Sequence, residues 1–151
     1  MILWLVLAGA VFYFMNSKLY PNTAEKLSQS KEVVLQRDMA GHYRAEAFIN
    51  GIKTPVMVDT GATTVAISQA LADKLGLKST TAIRTQTANG LTVSYMTRLS
   101  SVQLGGIIAK DVAASISPGI GEEVLLGMSF LGRMDVRLYQ EAMIIRGPSA
   151  P

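Results

Sequence analysis

The stretch Thr54–Thr64, TPVMVDTGATT, decides how the rest of the chain is read. Pro55, Val56, Met57 and Val58 form a short apolar run that suits a packed strand. The run ends on Asp59, and the chain then turns through Thr60, Gly61 and Ala62. A carboxylate at the end of a buried strand is costly unless it is paired or hydrogen-bonded, so its presence there points to a use. Gly61 permits a tight turn and lets its N–H approach the carboxylate. The plain alternative is a strand–turn junction in which Asp59 merely caps a turn. A bare D-T-G arises by chance in about one chain of this length in thirty. The apolar strand before it and the Ala-Thr after it sharpen the signal.

Working outward, the 151 residues are 49% hydrophobic and 17% charged, enough to bury one core and too apolar for a disordered chain. The net charge is +3, but the basic residues are scattered and no aromatics interleave with them, so no nucleic-acid surface is indicated. There is no cysteine, which excludes disulfides, thiolate metal sites and a cysteine nucleophile. The single histidine, His42, leaves no histidine-based metal site and argues against Ser-His-Asp catalysis. No metal or cofactor is implied.

Residues 1–15, MILWLVLAGAVFYFM, carry no charged side chain. Fifteen helical residues cover about 22 Å, short of the roughly 30 Å hydrocarbon core. The run extends to Tyr20 if Lys18 snorkels. An uncleaved single-pass anchor over residues 1–20 is the favoured expectation, with a cleaved signal peptide as the alternative. Lys18, Lys26 and Lys31 all follow the uncharged run of residues 1–15, which weakly favours a cytoplasmic domain and leaves its membrane side open.

Residues 21–32 read as a polar linker, 33–147 as one domain and 148–151 as a disordered tail. Within the domain, strand-like runs fall at 33–35, 43–49, 53–58, 81–87, 92–99, 102–104, 107–108, 112–116 and 143–145. Asn50-Gly51, Asn89-Gly90 and Gly105-Gly106 mark hairpins between them. A helix is expected from Ser68, as N-cap, to Leu75 before Gly76, and a shorter one at 128–133. The pattern is that of an all-β barrel or sandwich with one or two short helices.

One carboxylate at a strand end suggests a specific chemistry. Acid–base hydrolysis of an amide needs one group to take a proton from water and another to give one to the leaving group. Two close carboxylates sharing one proton do both. A chain with one D-T-G reaches such a pair by placing two copies about a two-fold axis, the commonest oligomer symmetry.

At this point a resemblance enters. The chain resembles the retropepsin-like aspartic proteases, most closely the membrane-anchored bacterial group with a single D-T-G. Four motifs carry it in order: GHYRAEAFING at 41–51, VDTGATT at 58–64, TANG at 87–90 and LLGMSFL at 125–131. The resemblance implies a closed acid-protease barrel and a homodimeric peptide hydrolase at a bacterial membrane. Asp59 would be the catalytic carboxylate. Thr60 would brace the partner loop and Gly61 would support Asp59. Ala62 and the flap residues Ala88, Asn89 and Gly90 would meet the substrate, a peptide or protein. Leu125, Leu126 and Gly127 would lie beneath the loop. Thr63 departs from the Asp or Asn that retroviral members often carry there. Those members dimerise through interleaved terminal strands, for which 33–35 and 143–145 are candidates here, a pairing that the sequence does not show. Two rival readings remain. One is a membrane-tethered peptide-binding module without catalysis; the other is a phosphoryl-accepting aspartate, which lacks its usual lysine and magnesium-binding carboxylates.

Overall fold

The computed structural model describes residues 2–24, 27, 30–87 and 90–148. Its elements, in order, are α1 (Ile2–Leu19), β1 (Glu32–Gln36), β2 (Arg44–Ile49), β3 (Ile52–Val58), β4 (Val65–Ile67) and α2 (Gln69–Lys74). Then come β5 (Ala82–Thr87), β6 (Gly90–Leu104), β7 (Ile107–Ile116), β8 (Val124–Leu126), α3 (Met128–Leu131), β9 (Asp135–Leu138) and β10 (Ala142–Arg146).

Strands β2-β3-β8-β4-β7-β6 follow one another, and β6 returns to β2 through Phe48↔Gln103 and Ile49↔Val102. This closes a six-stranded barrel, with β5 added outside β6. The alternation along β2, buried at Ala45, Ala47 and Ile49, fills the barrel from one face of each strand. The all-β expectation therefore holds. A second, three-stranded sheet has the order β1-β10-β9. It lays Val33, Leu35, Met143 and Ile145 on the same core.

Local signals behave as their chemistry requires. Asn50 and Gly51 both adopt positive φ, 46° and 84°, as a tight hairpin between β2 and β3 demands. Ser68 caps α2 by accepting the Leu71 N–H at 3.2 Å.

Other expectations are revised. The runs 92–99 and 102–104 are one strand, β6, and 107–108 and 112–116 are one strand, β7. The polar residues between them do not break pairing, because each strand holds the other in register across the interval. Asp111 absorbs the local kink at φ 51°, and the Arg98 guanidinium grips its carboxylate and carbonyl. The stretch read as a linker docks on the domain: Asn22 is 4% exposed and Leu27 6%. The tail residues 149–151 lie outside the described residues.

The expected single-pass membrane span is not shown. α1 has 18 residues, about 27 Å at 1.5 Å per residue. Its last turn carries Asn16, Ser17 and Lys18. Among the described residues no helix is long and apolar enough to cross a membrane.

Candidate active site

β8 lies between β3 and β4, parallel to β3 and antiparallel to β4. The loop from Asp59 to Thr64, which joins β3 to β4, must therefore arch over the end of β8. That topology places Asp59. Its N–H continues the β3–β8 ladder by donating to Leu126 O at 3.1 Å. Its Oδ1 accepts the Gly61 N–H at 2.8 Å. A Cβ on Gly61 would stand 3.2 Å from that same oxygen, so glycine lets the amide approach. Asp59 is half-buried, while Thr60 and Gly61 are exposed.

The loop is braced from below. Met128 N–H donates to Ala62 O at 2.8 Å and Ser129 N–H to Thr63 O at 3.0 Å. Ser129 Oγ then accepts the Val65 N–H at 2.9 Å and donates to Ala113 O at 2.7 Å. Val65 and Ala114 are register partners in the parallel β4–β7 pair, so the Ser129 hydroxyl is inserted into a ladder rung. Thr64 Oγ1 donates to Ser115 Oγ at 3.1 Å. Gly127 meets the loop so closely that no side chain fits. Leu126 and Gly127 are buried and Leu125 half-buried, as expected of residues beneath the loop.

From the side, Tyr43 O accepts the Val58 N–H at 2.9 Å, and the Tyr43 hydroxyl donates to Tyr139 O at 3.3 Å. The turn between β9 and β10 is thereby tied to the strand that carries Asp59.

Asp59, Thr60, Gly61 and Ala62 thus share one loop, as their sequence adjacency requires. Gly90 opens β6 at φ 105°, opposite Thr87, in the β5–β6 hairpin. The flap residues Ala88 and Asn89 lie outside the described residues. Sequence reading missed Ser129, Ser115 and Tyr43 as loop supports. The one signal for Ser129 was a hydroxyl placed directly after Gly-Met in an otherwise apolar run. Among the described residues no cluster of acidic or imidazole side chains is arranged to hold a metal ion. A cavity of about 420 Å³ lies instead where α1 meets the domain, lined by Tyr20, Met39, Arg44 and Glu123 among others, and Asp59 is not part of it. Thr60 and Gly61 of the D-T-G loop are exposed to solvent.

Residues 45–133, more than half of the chain, match the model of the gag-polyprotein putative aspartyl protease family. The chain belongs to that family. Among this chain's relatives is an uncharacterised Sinorhizobium protein, encoded 5′ of cobV, that is 31% identical over 125 residues. The match covers 78% of this chain and 54% of the relative, so the chain spans about half the length of that curated protein. A crystal structure of a retropepsin-like aspartic protease from Rickettsia conorii is 33% identical with a TM-score of 0.65. That likeness covers 77% of this chain and 90% of the other. The EIAV protease, solved with the inhibitor HBY-793, is 18% identical with a TM-score of 0.54, over 65% of this chain and 92% of the viral one. It shares the fold. The retropepsin-like fold of this family is thus the fold of this chain.

Proposed function

We propose that the chain is an aspartic endopeptidase that works as a homodimer. The observation that carries this reading is the D-T-G loop itself: one carboxylate oriented by the Gly61 N–H, on a loop with Thr60 and Gly61 exposed. A single such loop has a base and no acid. A second copy about a two-fold axis supplies the other carboxylate, and like charges at close range hold one proton between them. The ionised Asp59 takes a proton from water, whose oxygen attacks the peptide carbonyl carbon. The protonated Asp59 gives its proton to the substrate, and the C–N bond breaks as the amine leaves protonated. Thr60 reaches the facing loop, Ala62 lines the cleft, and the hairpin carrying Ala88, Asn89 and Gly90 covers an extended peptide and excludes water.

The same reading places the domain at a bacterial membrane through α1. Its support is that Leu3, Trp4, Leu5, Phe12, Tyr13 and Phe14 are all more than 60% exposed, an apolar surface that water does not favour. Retention of the chain in the membrane fraction after an alkaline wash is the expected result; release into the wash overturns the tether.

The deciding experiment incubates the full chain and its Asp59→Asn variant with a denatured protein over a range of pH. Cleavage is expected from the parent alone, strongest under acidic conditions and fading as the pair loses its shared proton. Undiminished cleavage by the variant, or full activity at alkaline pH, overturns the mechanism. A folded dimer that binds denatured protein without cutting it is a binding module.

A further inference from the structure

The connection between β1 and β2, residues 37–42, is a built loop with an apolar tip. Asp38 N–H donates to His42 O at 2.8 Å, and Gly41 N–H donates to Asp38 O at 3.0 Å. His42 N–H donates to Asp38 Oδ1 at 2.8 Å, and Arg37 Nε to Gly41 O at 3.0 Å. Gly41 lets the turn close at φ 87°. Within this frame Met39 is 84% exposed, more than any other large apolar side chain among the described residues, those of α1 included. Ala40 beside it is exposed as well. On a slack loop such a side chain folds back onto the surface. Here the hydrogen bonds on either side hold it out.

The tip stands beside the end of α1. Met39 and Ala40 line one cavity of about 420 Å³ together with Leu19, Tyr20 and Pro21. The joint between helix and domain is short. Tyr20 N–H still donates to Asn16 O at 3.0 Å, which carries the helical bonding past Leu19. Pro21 follows with its φ fixed by the ring. Asn22 is already pinned to Gln36 on β1 and to Arg44 and Glu46 on β2. The helix therefore leaves the domain at one corner, and Met39 is at that corner.

The surroundings that suit this corner are lipid. Every side chain from Leu3 to Tyr20 is exposed in the chain. A helix apolar on all sides calls for surroundings apolar on all sides, which a bilayer supplies and one protein partner does not. The 18 residues of α1 cover about 27 Å, against a hydrocarbon core of about 30 Å. Burial of so short a helix keeps Leu19 and Tyr20 at the headgroup level and does not lift the domain clear. Lys18 and Tyr20 are residue types that settle at that level.

We propose that the Arg37–His42 loop is a second membrane contact, with Met39 and Ala40 seated among lipid headgroups and upper acyl chains where α1 enters. Arg37 is exposed on the same loop and meets lipid phosphate. The carboxylates behind the tip do not face lipid as free charges. Asp38 and Glu123 are held by Arg44 at 2.7 and 2.9 Å, and Glu46 by Lys53 at 3.2 Å. The contact presupposes the tether through α1 proposed above, and it adds lipid as a partner of the folded domain itself. A helix alone fixes one point and leaves the domain free to turn about it; two contacts fix its orientation. That reaches the D-T-G loop. Met39 to Tyr43 is four residues, at most about 14 Å. Tyr43 O accepts the Val58 N–H, roughly 5 Å across the ladder, and Asp59 comes next. Asp59 thus lies within about 25 Å of the contact, which sets its height above the lipid.

The test reconstitutes the full chain into vesicles of phosphatidylcholine and phosphatidylglycerol. The chain has no cysteine, so Met39→Cys and Ile108→Cys each carry a sole thiol for a polarity-sensitive fluorophore. Ile108 is the control. It is 55% exposed and lines a hollow with Lys31 and Gly147, at the opposite end of β1 from Gln36 and Asn22. With lipids brominated in the upper acyl chain, emission from position 39 should fall at least about twofold, and emission from position 108 should hold. A label on Ala40→Cys separates the loop from the dye. Its quenching should persist beside Met39 or Met39→Leu and vanish beside Met39→Asp. A chain that floats with the vesicles but is quenched no more at position 39 than at 108 overturns the contact and keeps the tether. Quenching at position 40 that Met39→Asp leaves unchanged overturns the contact too. A chain that does not float overturns tether and contact together. None of these readouts needs cleavage, so an inactive chain quenched at position 39 removes the protease reading and leaves the contact standing.

Discussion

A Cβ built on Gly127 would stand 2.3 Å from the carbonyl oxygen of Thr64. It would also stand 2.6 Å from Ala62 O, so two separate peptides of the D-T-G loop close over this one position. Backbone cannot yield here as a flexible side chain would. Gly127→Ala is therefore expected to lower stability by about 2–4 kcal/mol and to displace the loop. Thermal unfolding checks the first, and loss of cleavage at temperatures where the variant stays folded checks the second.

Ser129 acts through two backbone groups that it keeps apart and satisfied. Its hydroxyl bridges Val65 N–H and Ala113 O, and Ser129→Ala leaves both without that partner. The expected loss is about 1–3 kcal/mol. Hydrogen exchange localises it: the Val65 amide should exchange faster in the variant relative to amides in the middle of β6 and β7.

Asn22 stitches the two sheets together. Its side chain bonds Gln36 N–H, Gln36 O and Arg44 O, and its own carbonyl accepts the Glu46 N–H at 3.1 Å. Asn22→Ala should cost about 1–3 kcal/mol, because buried groups on β1 and β2 lose their partners. Urea unfolding of the full chain measures it. An unchanged midpoint would mean that residues 21–24 are a passive tether after all.

Asp38 makes the acid limb of stability partly predictable. Burial alone pushes its carboxyl up, but the His42 N–H and the Arg44 guanidinium at 2.7 Å outweigh this and hold it below its ordinary value of 3.8. A carboxylate lowered on folding contributes stability that is fully present above that ordinary value and is lost as pH falls through the lower folded one. The parent should therefore exceed Asp38→Asn in stability at neutral pH, and the gap should shrink as pH drops below about 4. Denaturant midpoints of both proteins over that range test the sign.

Much of the site was legible because it is local. A strand run into Asp59 and a glycine two residues on are written in one short segment. Their φ/ψ demands and hydrogen bonds involve near neighbours. The same holds for the Asn50-Gly51 turn and for Ser68 as a cap. The short strands β4, β8 and β9 were not legible. Three or four residues show no periodicity, and each is a strand only because its neighbours supply partners.

What the sequence by itself determined is the chemistry on offer: a single carboxylate held in a tight turn, no thiol, one histidine, and an apolar leading segment. Only the tertiary structure decided how that carboxylate is held and what surrounds it. β8 slips between β3 and β4, Ser129 bridges Val65 and Ala113, Asn22 joins β1 to β2, and β1 closes on β10. Each of these joins residues far apart in the chain. Backbone N–H and C=O groups are the same in every residue, so the sequence alone does not say which distant pair will meet. Burial does, because a barrel that closes must satisfy every polar group it encloses.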